Sequence, residues 1–186
     1  GLIQVTLDGG GTCNTYDSFK DVPDGCYVSG VEPSRFDEKV IYASFDNHKR
    51  DDFKPYLLVS DNYGKSWKSI AGNLPENGPV HSIALDHVDP ELVFVGTEFG
   101  VFFTRDSGKN WTQLKAGIPT IACRDLEIQR RENDLVIASF GRGFYILDDY
   151  TPLRNLEPAT LEQEATIFPV KDALIYNPAT QIGYGA

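Results

Sequence analysis

Two stretches, SDNYGKSW at 60–67 and TRDSGKNW at 104–111, fit one pattern: hydroxyl residue, any, Asp or Asn, any, Gly, any, any, Trp. The two tryptophans of the chain, Trp67 and Trp111, both fill its last slot. Upstream, TLDGGGTC at 6–13 fits the same pattern with Cys13 in the Trp slot. The copies start at Thr6, Ser60 and Thr104, so they lie 54 and 44 residues apart. A repeat of that period constrains the fold strongly, because each copy must be one supersecondary unit packed on the next.

The surroundings repeat too. VSGVEPSRFDEKVIYAS (28–44), HSIALDHVDPELVFVGT (81–97) and DLEIQRRENDLVIASF (125–140) each read as strand, polar turn, strand. YLLVS (56–60), GVFFT (100–104) and GFYILDD (143–149) follow them as third strands. Each unit is therefore strand A, turn, strand B, loop, strand C, repeated turn, strand D, with short runs rich in Val, Ile, Phe and Tyr. Four-stranded units at this period are β-propeller blades, so the expected fold is all-β. No helix of length is expected before residue 156, where LEPATLEQEA reads as a short one.

Each patterned residue has a folding task. Gly10, Gly64 and Gly108 permit positive φ in a tight C–D hairpin. The pairs Thr6/Asp8, Ser60/Asn62 and Thr104/Asp106 are placed to accept hydrogen bonds from the turn's own amides. Trp67 and Trp111 return into strand D and bury large rings between blades.

The chain has 186 residues and a formal net charge of −10, a field that repels nucleic acid and anionic lipid. No apolar run approaches the roughly 20 residues of a membrane helix, so no membrane insertion is expected. With no Met and no signal peptide, the sequence is expected to be an internal or trimmed piece. Cys13 and Cys26 are close enough to pair, in which case the compartment is oxidising; three reduced thiols are the alternative. No Cys/His spacing suggests a metal, and no cofactor is expected.

The repeated turn resembles the Asp-box, or BNR repeat, of sialidases, sortilin-type (VPS10) domains, xyloglucan-cleaving glycosidases and a photosystem assembly factor. DNHKRDDFKPY, FVGTEFGVF and LVIASFGRGFYILDDYTPLR together resemble large bacterial sortilin-like BNR-repeat proteins. The resemblance spans about residues 1–155 and implies an extracellular, cell-surface or periplasmic setting. It departs at Cys13, at Asn62 in the Asp slot, and at Phe140.

Blade counting gives strands C and D at 1–19, full blades at about 25–71 and 79–114, and strands A to C at about 124–150. Residues 156–186 form a tail, read as the outer strand of the last blade or a linker. Closed propellers have about 4–8 blades, so this is expected to be the C-terminal part of a larger propeller, completed by blades outside this chain or in a partner chain.

In such a fold the A–B turns, with Arg35, Arg130 and Arg131, share a rim with the repeated turns. The B–C loops lie on the opposite face, where ligands are expected. There FDNHKRDDFKP is a charged insertion with Asp46, His48, Arg50, Asp51, Asp52 and Lys54, read as a recognition loop or a solvated hairpin tip. Arg50, Arg124 and Arg142 come from three successive blades on this face, as carboxylate-gripping arginines would. A sialidase set would draft Tyr56, Glu98 and Asp51; a xyloglucanase pair would come from Asp46, Asp51, Asp52 and Glu98. Glu98 also reads as a cap for the B–C turn, and Arg142 as an ion-pair donor to Asp148 or Asp149. The sequence thus favours a non-catalytic binding or scaffold segment recognising protein, peptide or glycan. A glycoside hydrolase and a structural subunit of a larger assembly are the alternatives.

Overall fold

The structure is a computed structural model that describes residues 1–115 and 117–172. Residues 1–154 form one compact unit and 155–186 a second.

The first unit is built entirely from antiparallel meanders. β1 (Ile3–Val5) and β2 (Asn14–Tyr16) pair as a two-stranded sheet. β3 (Tyr27–Pro33), β4 (Ile41–Asn47), β5 (Asp52–Ser60) and β6 (Lys68–Ser69) follow in chain order as a four-stranded sheet. β7 (Val80–Leu85), β8 (Val93–Thr97), β9 (Gly100–Thr104) and β10 (Thr112–Leu114) form a second. β11 (Cys123–Gln129), β12 (Asp134–Ser139) and β13 (Phe144–Leu147) form the last, three-stranded among the described residues. The inner strands β3, β7 and β11 lie side by side. Apolar residues face the neighbouring sheet: Leu57, Ile70, Val80, Ile83, Val95, Phe102 and Trp111 fill one inter-blade core, and Ile3, Phe19, Ala43, Phe45 and Leu58 another.

The three repeated turns share one hydrogen-bond scheme. The first hydroxyl accepts the amide of the fifth residue: Gly10 to Thr6 at 2.8 Å, Gly64 to Ser60 at 2.8 Å, Gly108 to Thr104 at 3.1 Å. The same hydroxyl donates to Asp8, Asn62 or Asp106, whose side-chain oxygen accepts the amide of the seventh residue. That seventh residue, Thr12, Ser66 or Asn110, closes the ring with its own side chain, a task its free slot in the pattern did not disclose. The Asn110 side-chain amide is thereby engaged in the turn. Trp111 Nε1 donates to Ile70 O of the preceding blade, and Asn73 grips the Trp111 backbone at both N and O.

On two points the sequence left alternatives open, and the structure has the hairpin tip and the unpaired thiols. FDNHKRDDFKP is not a loop: the β4–β5 hairpin runs on through it, Asn47 pairing with Asp52, and only a 3-10 turn at His48–Arg50 and left-handed Asp51 lie outside the strands. Cys13 and Cys26 are both free, because Cys13 is exposed at the end of the first turn while Cys26 is buried beside Ile3 and Phe19. In the second unit a short helix, Pro158–Leu161, is described; of the tail at 156–186, expected as an outer strand or a linker, residues 173–186 lie outside the described residues.

Candidate functional site: the bulged inner strands

Each A–B strand pair breaks register once, at the same place in the blade: between Val28 and Gly30, between Val80 and Ser82, and between Cys123 and Asp125. The residues skipped by the ladder are Ser29, His81 and Arg124. A bulge leaves one residue unpaired and re-aims its side chain. Here it aims three residues from three neighbouring blades into one groove of about 580 Å3 along the inner strands.

These side chains meet. His81, with a side chain only 7% exposed, has Nε2 3.0 Å from Glu98 Oε2. One Arg124 terminal nitrogen lies close to both His81 ring nitrogens, 3.3 Å from Nδ1 and 3.2 Å from Nε2; the other is 3.5 Å from Glu98 Oε2, and the guanidinium lies 5.3 Å from the Phe140 ring centroid. The Glu98 contact suits an imidazole with its proton on Nε2, donating to the carboxylate. Burial, which penalises the imidazolium, holds the His81 pKa below the ordinary value despite the opposing Glu98 hydrogen bond. Ser29 Oγ donates to Val80 O, fastening one bulge to the next blade.

The outer part of the face has separate partners. Asp46 accepts from the His48 amide and ring, and its charge also acts on His81. Asp52 accepts from Asn47 Nδ2 at 3.0 Å and Tyr56 Oη at 2.7 Å. Arg50 donates to Asp24 O under Gly25. Arg142 stands exposed on the β12–β13 turn. Glu98 therefore meets Arg124, while Arg50 and Arg142 have other settings.

The Tyr56 hydroxyl is not free: it donates to Asp52, and burial first, then this hydrogen bond, push its pKa upward. Nor does Glu98 cap its turn: Thr97 Oγ1 does, donating to Gly100 O and accepting from Phe99 N. Arg142 makes no ion pair among the described residues with Asp148 or Asp149. The buried pair is elsewhere, where Arg154 donates through Nε and a terminal nitrogen to both oxygens of fully buried Asp86. The Tyr150 hydroxyl and the amides of Val88 and Asp89 complete the shell around that carboxylate.

Sequence reasoning missed His81 as a site residue, along with Ser29 and the Asp86 cluster. A signal for His81 exists: it holds the slot of Ser29 and Arg124 two residues before Val31, Ile83 and Leu126, each the second ladder position after the bulge.

No protein-family model and no curated protein matches the sequence. Solved structures do match. The GH74 enzyme of Niastella koreensis aligns with a TM-score of 0.61 at 15% identity, over 81% of this chain and 25% of that one. YCF48 bound to D1 peptide aligns at 0.55 and 21% identity, over 80% of this chain and 44% of that one. The extracellular domain of the one component system BT4673 from B. thetaiotaomicron aligns at 0.56 and 16% identity, over 77% and 18%. The chain thus spans less than half the length of these structures. At such identities the likeness concerns the fold, and with the meanders above it makes residues 1–154 a set of β-propeller blades.

Proposed function

We propose that these blades belong to a non-catalytic, ligand-binding propeller of the sortilin-like, BNR-repeat kind, which recognises a protein, peptide or glycan at the bulged ends of its inner strands. The observation that carries this reading is the equivalent bulge in three successive blades, which turns Ser29, His81 and Arg124 into one groove beside Glu98. The candidate carboxylates Asp46, Asp52 and Glu98 each accept hydrogen bonds from neighbouring donors. A neighbour of this fold is described as bound to a peptide, which agrees with a peptide ligand. Another is an extracellular domain, which agrees with an extracellular, cell-surface or periplasmic setting. The test is the intact propeller on a peptide library and a glycan array. A retained ligand released by Arg124→Ala supports the reading, and no retention in either class overturns it.

The second reading is a glycoside hydrolase, favoured by the likeness to a GH74 enzyme. It requires turnover of a fluorogenic glycoside that Asp51→Asn or Glu98→Gln abolishes.

A further inference from the structure

The bulges give the inner strands a common numbering. Three residues past Ser29, His81 and Arg124 come Glu32, Ala84 and Glu127; six past them come Arg35, His87 and Arg130. A basic side chain thus occupies one slot in three successive blades, in a chain whose formal net charge is −10. The slot lies just beyond the ends of β3, β7 and β11, at the end of the groove away from the bulges.

Arg35 and Arg130 line that end of the groove, and His87 follows β7, which packs against both β3 and β11. The three converge. Burial first holds the His87 pKa below its ordinary value; Asp86 opposes this, while Arg154, Arg130 and Arg35 add to it. Arg130 and Arg35 therefore act on His87 from the two flanking blades. They also act together on Glu32, whose pKa burial raises. Neither guanidinium is in an ion pair among the described residues, whereas Arg131 next door turns to Glu132 at 3.0 Å. His87 turns Nδ1 toward Asp86 Oδ1 at 3.5 Å and Tyr150 Oη at 3.4 Å, which leaves Nε2 without a partner among the described residues. Glu32 and Glu127 stand three residues back, about 10 Å along the strand.

We propose that Arg35, His87 and Arg130 form an anion site at the turn end of the groove, and that it takes a phosphate or sulfate group. Donors arriving from three strands suit a group with three free oxygens, whereas a carboxylate offers two in one plane. Each guanidinium can bind such a group bidentately. His87 Nε2 becomes a donor as the ring takes up a proton beside the anion. The site lies at the opposite end of the groove from Ser29, His81 and Arg124, so it does not depend on the ligand reading above.

The experiment is equilibrium dialysis of radiolabelled phosphate, and separately of sulfate, against the intact polypeptide at constant ionic strength set with chloride. Saturable binding is expected, weakened about tenfold or more by Arg35→Gln and by Arg130→Gln. Arg131→Gln, which removes a charge from the same turn, is expected to leave it unchanged. The three arginines are exposed, and thermal unfolding checks that the variants keep the wild-type fold. Displacement of the label by methyl phosphate or methyl sulfate assigns an esterified group; displacement by the inorganic ion alone assigns a free one. Absence of saturable binding overturns the proposal, as does binding that survives both Arg35→Gln and Arg130→Gln. Equal loss in all three variants also overturns it, because that marks diffuse attraction to the rim. So does acetate displacing the label as well as the inorganic ions do, which makes the site one for carboxylates.

Discussion

At Gly108 the repeated turn shows how little freedom its residues have. Its φ is 82°, and an added Cβ would lie 2.6 Å from both Cβ and O of Ile70 in the preceding blade. Gly108→Ala therefore combines left-handed strain with a backbone clash, and is expected to cost about 2–4 kcal/mol. Ser107, at φ 59°, is already left-handed, so Ser107→Gly is expected to be neutral or stabilising by up to about 1 kcal/mol. Urea unfolding of both variants checks this, and a Gly108→Ala change of a few tenths of a kcal/mol would refute the clash. The glycine and its acceptor pair were legible in the sequence because they act within a few residues of one another. The preceding left-handed position was not, because Gly9, Tyr63 and Ser107 share no side-chain chemistry.

Among the elements, the A–B ladder decides which side chain enters the groove, through its bulge. His81 follows from that placement. Burial lowers its pKa and Glu98 partly restores it, so removing the carboxylate's charge should lower it further. NMR titration of the imidazole is expected to give a value below 6.5 in the wild type and a lower one in Glu98→Gln; a rise in the variant would contradict the assigned contact. The stability consequence has a definite sign. The unfolded chain binds the proton more readily than the folded one, so the contribution is fully present above about pH 6.5 and is lost as pH falls below it through the folded value. Residue types gave the strands and their order, whereas the reach of the β4–β5 hairpin was hidden. Asp46 and Asn47 look like loop residues, yet they are only 8% and 7% exposed because hydrogen bonds to His48 and Asp52 satisfy them.

Across the whole first unit, the Asp86 cluster fastens residues 150–154 to the β7–β8 turn. Burial alone would raise the Asp86 pKa, but Arg154, Tyr150 and the Asp89 amide together hold it below the ordinary carboxylate range. Arg154→Leu leaves a buried carboxylate without its cation and is expected to cost about 3–5 kcal/mol at neutral pH. In the wild type this stabilisation is present above the unfolded value of about 3.9 and is lost as pH falls through the folded one. In the variant burial is opposed only by Tyr150 and the turn amides, so Asp86 gains a proton more readily and the difference between the two proteins should narrow in acid. Unfolding curves at neutral pH and near pH 3 measure this, and a pH-independent difference would exclude Asp86 as its source.

The sequence by itself determined the blades: their period, strand order, turns and apolar faces all depend on contacts between residues close in the chain. Only the tertiary structure decided the groove and the latch. A bulge is defined by the register of two strands, so neither the sequence of β7 nor that of β8 alone announces that His81 leaves the ladder. Asp86 and Arg154 meet across 68 residues, and two charged residues so far apart read as surface until the fold buries them together. The open face of the last sheet is of the same kind. That its bare positions match the covered positions of two earlier blades emerged only once the strands were paired.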